Sequence, residues 1–203
     1  MADEHPHHEH DHREHEGHHD NEGHEHEHVP YPDAIQAWRA DKDDAFRTAL
    51  DSPIPEENRL GFLGLPYFPV DESLRFEGLT LEPYAGNEPA SFQIETTDGE
   101  TRPYVRAGSF SFTVNGVAQR LTAYTFDSLA SGALFVPFMD ATTGTDTYGA
   151  GRYLDLDQDD DGTYALDFNL AYHPLCVYDP KYSCPLTPAE NRLPIRIEAG
   201  ERL

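Results

Sequence analysis

Residues 102–127 read RPYVRAGSFSFTVNGVAQRLTAYTFD, and this stretch decides the fold class. Phe110 and Phe112 alternate with serine and threonine, which predicts a strand with one buried face. Asn115–Gly116 is a dipeptide that readily supplies the positive φ angles of a tight hairpin turn. The stretch therefore predicts two antiparallel strands that meet at this turn.

Further β signals lie on both sides of this hairpin. Asp98–Gly99 predicts a turn between strands at 91–97 and 102–106. Asp161–Gly162 predicts another turn, between strands at 152–157 and 164–169. Other predicted strands lie at 74–84, 133–139 and 193–198.

One segment before the strands has helical spacing. In residues 32–50, Ile35, Trp38, Phe46 and Leu50 fall roughly on one face. We therefore expect a mainly β domain at residues 29–203, an antiparallel barrel or sandwich with one N-terminal helix at about residues 32–50.

The chain is strongly acidic, with 38 Asp and Glu against 14 Lys and Arg and a formal net charge of −24. Residues 1–28 contribute −9, which leaves −15 for residues 29–203. Such a charge repels phosphates and anionic headgroups, so we expect no nucleic acid and no membrane partner. The acidic excess is typical of halophilic proteins. No apolar run is long enough to span a bilayer and no secretory signal is visible, which predicts a cytoplasmic protein.

Residues 1–28 contain no large aliphatic or aromatic side chain, so we expect a disordered tail before the domain. The tail is rich in Asp and Glu, and it holds eleven of the twelve histidines, several at two-residue steps. Imidazoles on a flexible chain can surround a divalent ion, and Zn, Ni, Cu and Co are all suited to them. The candidate metal ligands are His5, His7, His8, His10, His12, His15, His18, His19, His24, His26 and His28.

Spaced motifs carry a family resemblance over about residues 32–203. In order they are FPVD at 68–71, FMDAT at 138–142, YGAGRY at 148–153, DFN at 167–169, Cys176, CP at 184–185, NRL at 191–193 and AGE at 199–201. The chain resembles the family called domain of unknown function 1684, found in bacteria and haloarchaea. The resemblance implies no particular activity. His173 departs from the family pattern, in which Asn is more common.

One group of residues could form a small-ligand pocket. Arg152 offers a forked donor for a carboxylate or phosphate, and the predicted hairpin would bring Asp167 close to it. The alternative is a structural Arg–Asp pair. The candidate pocket residues are Asp140, Tyr148, Arg152, Asp167, Asn169 and Asn191.

Two further groups could carry chemistry. Cys176 and Cys184 could form a disulfide, bind a metal together with His173, or remain reduced packing residues. A thiol nucleophile would need His173 as its base, since that is the one histidine outside the tail. The acidic run at 157–162 resembles the front of a calcium loop, but Phe168 stands where the bidentate Glu belongs.

Three functions follow from these features. The leading hypothesis is a protein whose tail binds divalent metal ions and whose β domain has a pocket for a small molecule. The alternatives are an enzyme of unknown reaction around Arg152, Asp167 and Asn169, and a non-catalytic ligand-binding module. No organic cofactor is implied, and no signal indicates an oligomeric state.

Overall fold

A computed structural model describes residues 29–203 of the chain. Within that range the α-helices are α1 at Tyr31–Thr48 and α2 at Glu56–Arg59. The strands are β1 at Arg75–Leu79, β2 at Glu82–Pro83, β3 at Ser91–Glu95, β4 at Thr101–Val114, β5 at Val117–Thr125, β6 at Leu134–Phe138, β7 at Arg152–Leu156 and β8 at Tyr164–Asp167. Short 3-10 helices lie at Glu72–Leu74, Phe168–Leu170, Leu175–Val177 and Ala189–Asn191.

Six of these strands form one antiparallel sheet in the order β2-β4-β5-β6-β7, with β3 also paired to β4. β1 and β8 form a separate two-stranded antiparallel sheet. The long strand β4 pairs with β5 along most of its length. Asn115 and Gly116, which join them, have φ angles of 49° and 79°. The predicted hairpin is confirmed, as is the one at Asp98–Gly99 between β3 and β4.

The large sheet is covered on both faces. Successive side chains of a strand point to opposite faces, and β6 is buried at every position. One face carries the main apolar core, which also includes residues of β8 and of the segment 193–199. The opposite face carries an aromatic cluster centred on Tyr104, Phe135 and Tyr153. The aromatic cluster forms the floor of a cleft.

The predicted fold class is confirmed. The structure is mainly β and antiparallel, with one main helix near the N-terminal end of the described residues. Within residues 29–203 the sheets do not close into a barrel, and their packing around a shared core fits the sandwich-like alternative. The predicted division of the chain between residues 28 and 29 stays a prediction.

The predicted hairpin between strands at 152–157 and 164–169 is wrong. The turn itself forms, since Asp159 N donates to Thr163 O at 2.9 Å. The chain then diverges, so that β7 pairs with β6 and β8 pairs with β1. Tyr164 packs against Phe110 with 5.3 Å between ring centroids, so β8 joins the second sheet rather than the edge of the first.

One of the other predicted strands is divided in the structure, and another is wrong. Residues 74–84 form two strands in different sheets, β1 and β2, and the register of β1 is irregular before its end. Residues 193–198 form no regular strand: Leu193 and Ile195 bond to the backbone of Met139 and Ala141, while Ile197 bonds to buried side chains. Ile197 N donates to Asp140 Oδ2 at 2.7 Å, and Ile197 O accepts from Arg152 Nη2 at 2.7 Å.

The helix is slightly shorter than predicted. It ends at Thr48, and Ala49 is already extended, with ψ of 144°. Leu50 therefore lies beyond the helix and is fully exposed, so the predicted apolar face is only partly right. Ile35 and Arg39 are the buried residues of α1, while Trp38 is 38% exposed.

Candidate functional site

Arg152 and Asp140, two of the candidate pocket residues, lie together inside the protein. Arg152 begins β7 and is 1% exposed. Its guanidinium donates to the carbonyls of Ile197, Ala199 and Glu201 and lies 3.5 Å from Asp140 Oδ1. Burial lowers the pKa of Arg152, and the charge of Asp140 opposes that shift. The carboxylate partner of Arg152 is thus Asp140, and not Asp167 as the predicted hairpin suggested.

Asp167 and Asn169 form a second group. Asp167 Oδ2 accepts from Tyr31 OH at 2.5 Å, and its Oδ1 accepts from Asn169 N at 2.9 Å. The Asn169 side chain bonds to both backbone groups of Asp71, at 2.9 and 2.8 Å. These contacts fasten the start of α1 to the end of β8 and to the loop before β1.

Asn191 lies apart from both groups. β5 and β6 pair at one position only, and beyond it Asn191 bonds to both strands. Its Oδ1 accepts from Thr122 N at 2.8 Å, and its Nδ2 donates to Thr122 O at 2.8 Å and Pro137 O at 2.7 Å. The amide takes the place of the missing ladder bonds.

An aromatic cleft lies elsewhere in the described residues, and none of the six candidate pocket residues lines it. Its volume is about 890 Å³. The floor is the aromatic cluster, in which Phe135 packs against Tyr153 at 4.8 Å and Tyr104 at 6.0 Å between ring centroids. α1 forms one wall through Trp38, Asp41, Lys42, Ala45 and Phe46. Other walls come from Arg102, Phe126, Ser128, Leu129, Asp155, Tyr172, His173, Leu175, Cys184 and Pro185.

Lys42 is the charged group deepest in this cleft, with a side chain that is 17% exposed. Its Nζ lies 2.7 Å from Glu201 Oε1. It also lies 5.0 to 5.5 Å from the ring centroids of Trp38, Phe46 and Tyr172, close enough for cation–π attraction. Lys42 thus joins α1 to the end of the chain and leaves part of its ammonium open to the cleft.

Asp155 provides a carboxylate in the lining of the same cleft. Its Oδ2 accepts from Tyr172 OH at 2.6 Å. The residue keeps some exposed surface, yet the protein atoms around it desolvate the carboxylate and raise its pKa. The cleft therefore has aromatic surfaces with a cation and an acid among them.

His173 is buried at the inner end of the cleft and is 2% exposed. Its Nε2 accepts from Tyr148 N at 3.2 Å, and its Nδ1 lies 3.7 Å from Glu201 Oε2. Burial lowers the pKa of His173 to about 4, against the opposing charge of Glu201. The ring is therefore neutral at pH 7.

Cys176 and Cys184 are both free thiols in the structure. Cys176 N donates to Cys184 Sγ at 3.3 Å, and Cys176 Sγ lies 3.9 Å from Tyr148 OH. Burial raises the pKa of the Cys184 thiol to about 11. Burial also raises the pKa of Tyr148.

Residues 29–203 contain no group of three or more His, Cys, Asp or Glu side chains placed to hold a metal ion. In the acidic run at 157–162, Asp161 Oδ1 accepts from Thr163 N at 3.0 Å and from Thr163 Oγ1 at 2.6 Å, as in an ordinary turn. The eleven histidines of residues 1–28 lie outside the described residues, and their metal binding stays a prediction. No helix in the described part of the chain has both the length and the apolar character needed to cross a membrane.

Sequence reasoning missed the cleft. A partial signal exists in α1, where Trp38, Lys42 and Phe46 recur at four-residue steps and so share a face. The floor residues alternate with core residues along β6 and β7, but this pattern resembles a strand buried on both faces. The open space between these surfaces follows only from the tertiary structure.

Comparisons with known proteins agree with the fold. The family model described as "Protein of unknown function (DUF1684)" matches residues 60–202, which begin after α1. No curated protein matches the chain. A solution NMR structure of an uncharacterized protein of Haloarcula marismortui is 41% identical, with a TM-score of 0.63, over 84% of this chain and 92% of that chain. The chain belongs to the DUF1684 family of proteins of unknown function, as its spaced motifs predicted.

Proposed function

We propose that the domain is a binding module that takes a small, planar and mainly apolar ligand into the aromatic cleft. The observation that carries the proposal is a cleft of about 890 Å³ lined largely by ring side chains. Pockets for small molecules usually have volumes of a few hundred to about a thousand Å³ and combine apolar walls with few polar groups. Each ring that a ligand covers removes apolar surface from water, which favours binding by about 25 cal/mol for each Å².

The polar groups of the cleft suggest how such a ligand is oriented. Lys42 has three donors, and Glu201 accepts only part of them. Asp155 has one oxygen bonded to Tyr172, and its other oxygen has no protein partner among the described residues. A ligand with an acceptor near Lys42 and a donor near Asp155 would satisfy both groups. Its flat body would lie on Phe135 and Tyr153.

The acid–base state of the neighbouring groups favours binding over catalysis. A thiol with a pKa of about 11 is protonated at neutral pH and is a weak nucleophile. His173 already accepts a backbone hydrogen bond with Nε2, and its pKa of about 4 makes it a poor base at pH 7. The alternative enzyme site around Arg152, Asp167 and Asn169 has its polar atoms mostly bonded to other protein groups.

The test uses Trp38, the single tryptophan of the chain, as a reporter in the cleft wall. We expect anilinonaphthalene sulfonate, an anionic probe with a flat naphthalene ring system, to bind saturably and to quench Trp38 emission. Ala45 lines the cleft and Ala37 is an exposed residue of the same helix. Ala45→Phe should fill the cleft and weaken binding about ten-fold, whereas the matched variant Ala37→Phe should bind as wild type does. Equal binding by both variants would contradict the proposal.

We propose in addition that residues 1–28 bind divalent transition metals. The support is the density of imidazoles, eleven histidines between His5 and His28 interleaved with acids. Ligand histidines must be neutral, so binding should weaken below about pH 6.5. Calorimetry with Zn²⁺ and Ni²⁺ should show uptake by the full chain and none by a full-length variant with all eleven histidines changed to Asn. Equal uptake by the two proteins would exclude the tail as the ligand source.

A further inference from the structure

A second cavity lies beside α1, lined by a different set of helix residues. Its volume is about 570 Å³, and its lining includes Gln36, Arg39, Asp43, Tyr67, Phe68 and Arg202. Trp38, Lys42 and Phe46 of the same helix belong to the aromatic cleft instead. Two separate sites can therefore share α1 without sharing residues.

Arg39 is the unusual group of this cavity. It is 5% exposed, and its Nη1 donates to Phe68 O at 3.0 Å and its Nη2 to Asn169 O at 3.5 Å. Its guanidinium carbon lies 4.4 Å from the ring centroid of Tyr67. Its Nε has no hydrogen-bond partner, and no carboxylate of residues 29–203 lies within ion-pair distance of it. A buried charge without a counter-ion is costly.

The other fully buried arginine of the described chain does have a counter-ion, since Arg152 lies 3.5 Å from a carboxylate oxygen of Asp140. The half-buried Arg106, with a side chain 11% exposed, lies 3.0 Å from one of Glu190. Acids are abundant in this protein, with 38 Asp and Glu against 14 Lys and Arg. Arg39 thus differs from Arg152, since none of the many carboxylates of residues 29–203 lies within ion-pair distance of it.

A second guanidinium lies at the same cavity. Arg202 is exposed, its guanidinium carbon is 5.6 Å from the ring centroid of Phe68, and no ion pair holds it within residues 29–203. The one acid in the lining, Asp43, is bonded to Leu65 N through Oδ1 at 2.9 Å. The cavity thus has one buried and one exposed guanidinium and a carboxylate fixed by the backbone.

We propose that this cavity binds a small oxyanion, either a carboxylate or a phosphate group, between Arg39 and Arg202. Guanidinium groups recognise such anions through paired N–H donors, and the buried Nε–H of Arg39 is a donor of this kind that has no protein partner among the described residues. The anion would supply the counter-charge that Arg39 lacks. Binding here is independent of any ligand in the aromatic cleft.

Calorimetric titration of the full chain with inorganic phosphate and with acetate, at constant ionic strength set with chloride, tests the proposal. We expect saturable binding of at least one of the two oxyanions. Arg202→Gln should weaken it about ten-fold, because one of the two charged donors is lost while the exposed position leaves the fold intact. The matched control is Arg196→Gln, an exposed arginine near the same end of the chain that pairs with Asp146 and does not line the cavity.

Arg39→Gln should abolish binding if that variant folds, and Arg202→Gln alone decides the matter if it does not. As a second readout, the preferred oxyanion should raise the thermal midpoint of the wild type and fail to raise that of Arg202→Gln. Binding of neither oxyanion would overturn the proposal. Equally strong binding by wild type and Arg202→Gln would overturn it as well.

Discussion

Replacement of Arg152 by Met tests whether this guanidinium is part of the core or a ligand clamp. Met keeps the apolar stem but is shorter and uncharged, so the change leaves three carbonyl oxygens without their donor and the buried Asp140 carboxylate without its counter-charge. Loss of one partner of a buried ion pair costs about 3–5 kcal/mol. We therefore expect the free energy of unfolding to fall by about 3–5 kcal/mol, a large share of the 5–15 kcal/mol typical of a domain.

The assay is urea unfolding of the full chain followed by circular dichroism at fixed salt. The matched control is Arg47→Met, since the Arg47 side chain is 43% exposed and, within residues 29–203, forms one ion pair, with the exposed Asp44. That change should cost no more than about 0.5 kcal/mol. If Arg152→Met too lies within about 1 kcal/mol of the wild type, the structural role assigned to Arg152 is refuted.

A double variant separates the ion pair from general damage to the core. Asp140→Asn removes the negative charge and keeps the shape of the side chain. Because each single variant leaves the other charge buried and unpaired, Asp140→Asn combined with Arg152→Met should cost about 1–3 kcal/mol less than the sum of the single changes. Strict additivity would show that the two charges do not interact.

Three further expectations concern single residues. The pKa of His173 is about 4 in the folded protein and about 6.5 in the unfolded chain, so the unfolded chain binds the proton more readily. The free energy of unfolding should therefore fall by about 2–3 kcal/mol as the pH is lowered from 6.5 to 4. Unfolding titrations of wild type and His173→Asn should show that this part of the pH dependence disappears in the variant. Asn191→Ala leaves three backbone groups unbonded, two on the half-buried Thr122 and one on the buried Pro137; it should cost about 2–3 kcal/mol in urea unfolding, with an unchanged midpoint as the contrary result. Gly151 has a φ of 99°, and a Cβ there would lie 2.5 Å from Phe138 O, whereas Gly144 has a φ of 82° and open space around it. Gly151→Ala should therefore lower the thermal midpoint clearly more than Gly144→Ala. Equal losses would show that the cost comes from backbone strain alone and not from the contact with Phe138.

The parts of the fold that could be predicted are those set by neighbouring residues. Asn115–Gly116 supplies the positive φ angles of a tight turn, and the strands on either side pair directly. Asp161–Gly162 forms its turn equally well, yet β8 pairs with β1 because Tyr164 packs into the core. A turn signal predicts a reversal of the chain and says nothing of which strand will be the partner.

In the candidate site, too, local sequence predicts some features and not those that depend on distant residues. The residues that flank Arg152 in the sequence are typical of an anion-binding site. Its acceptors, however, are carbonyl oxygens of residues 197–201, which lie far along the sequence. The sequence pattern fits Phe135 and Tyr153 equally well as core residues or as cleft residues. Periodicity predicts the face of the strand on which a side chain lies, but not whether a cavity lies in front of that face. Arg39 lacks an acid partner because of its position in the tertiary structure, which no local sequence pattern predicts.

The contacts of α1 have a consequence for how the protein is made. Tyr31 bonds to a carboxylate 136 residues further along, Arg39 to a carbonyl 130 residues away, and Lys42 to Glu201. Helix α1 is therefore synthesised well before the residues that complete its tertiary contacts. Loop closure over such distances makes folding slow, and the aromatic rings stay open to water meanwhile. The nascent chain should consequently be a strong client for chaperones until residues 197–201 have been synthesised.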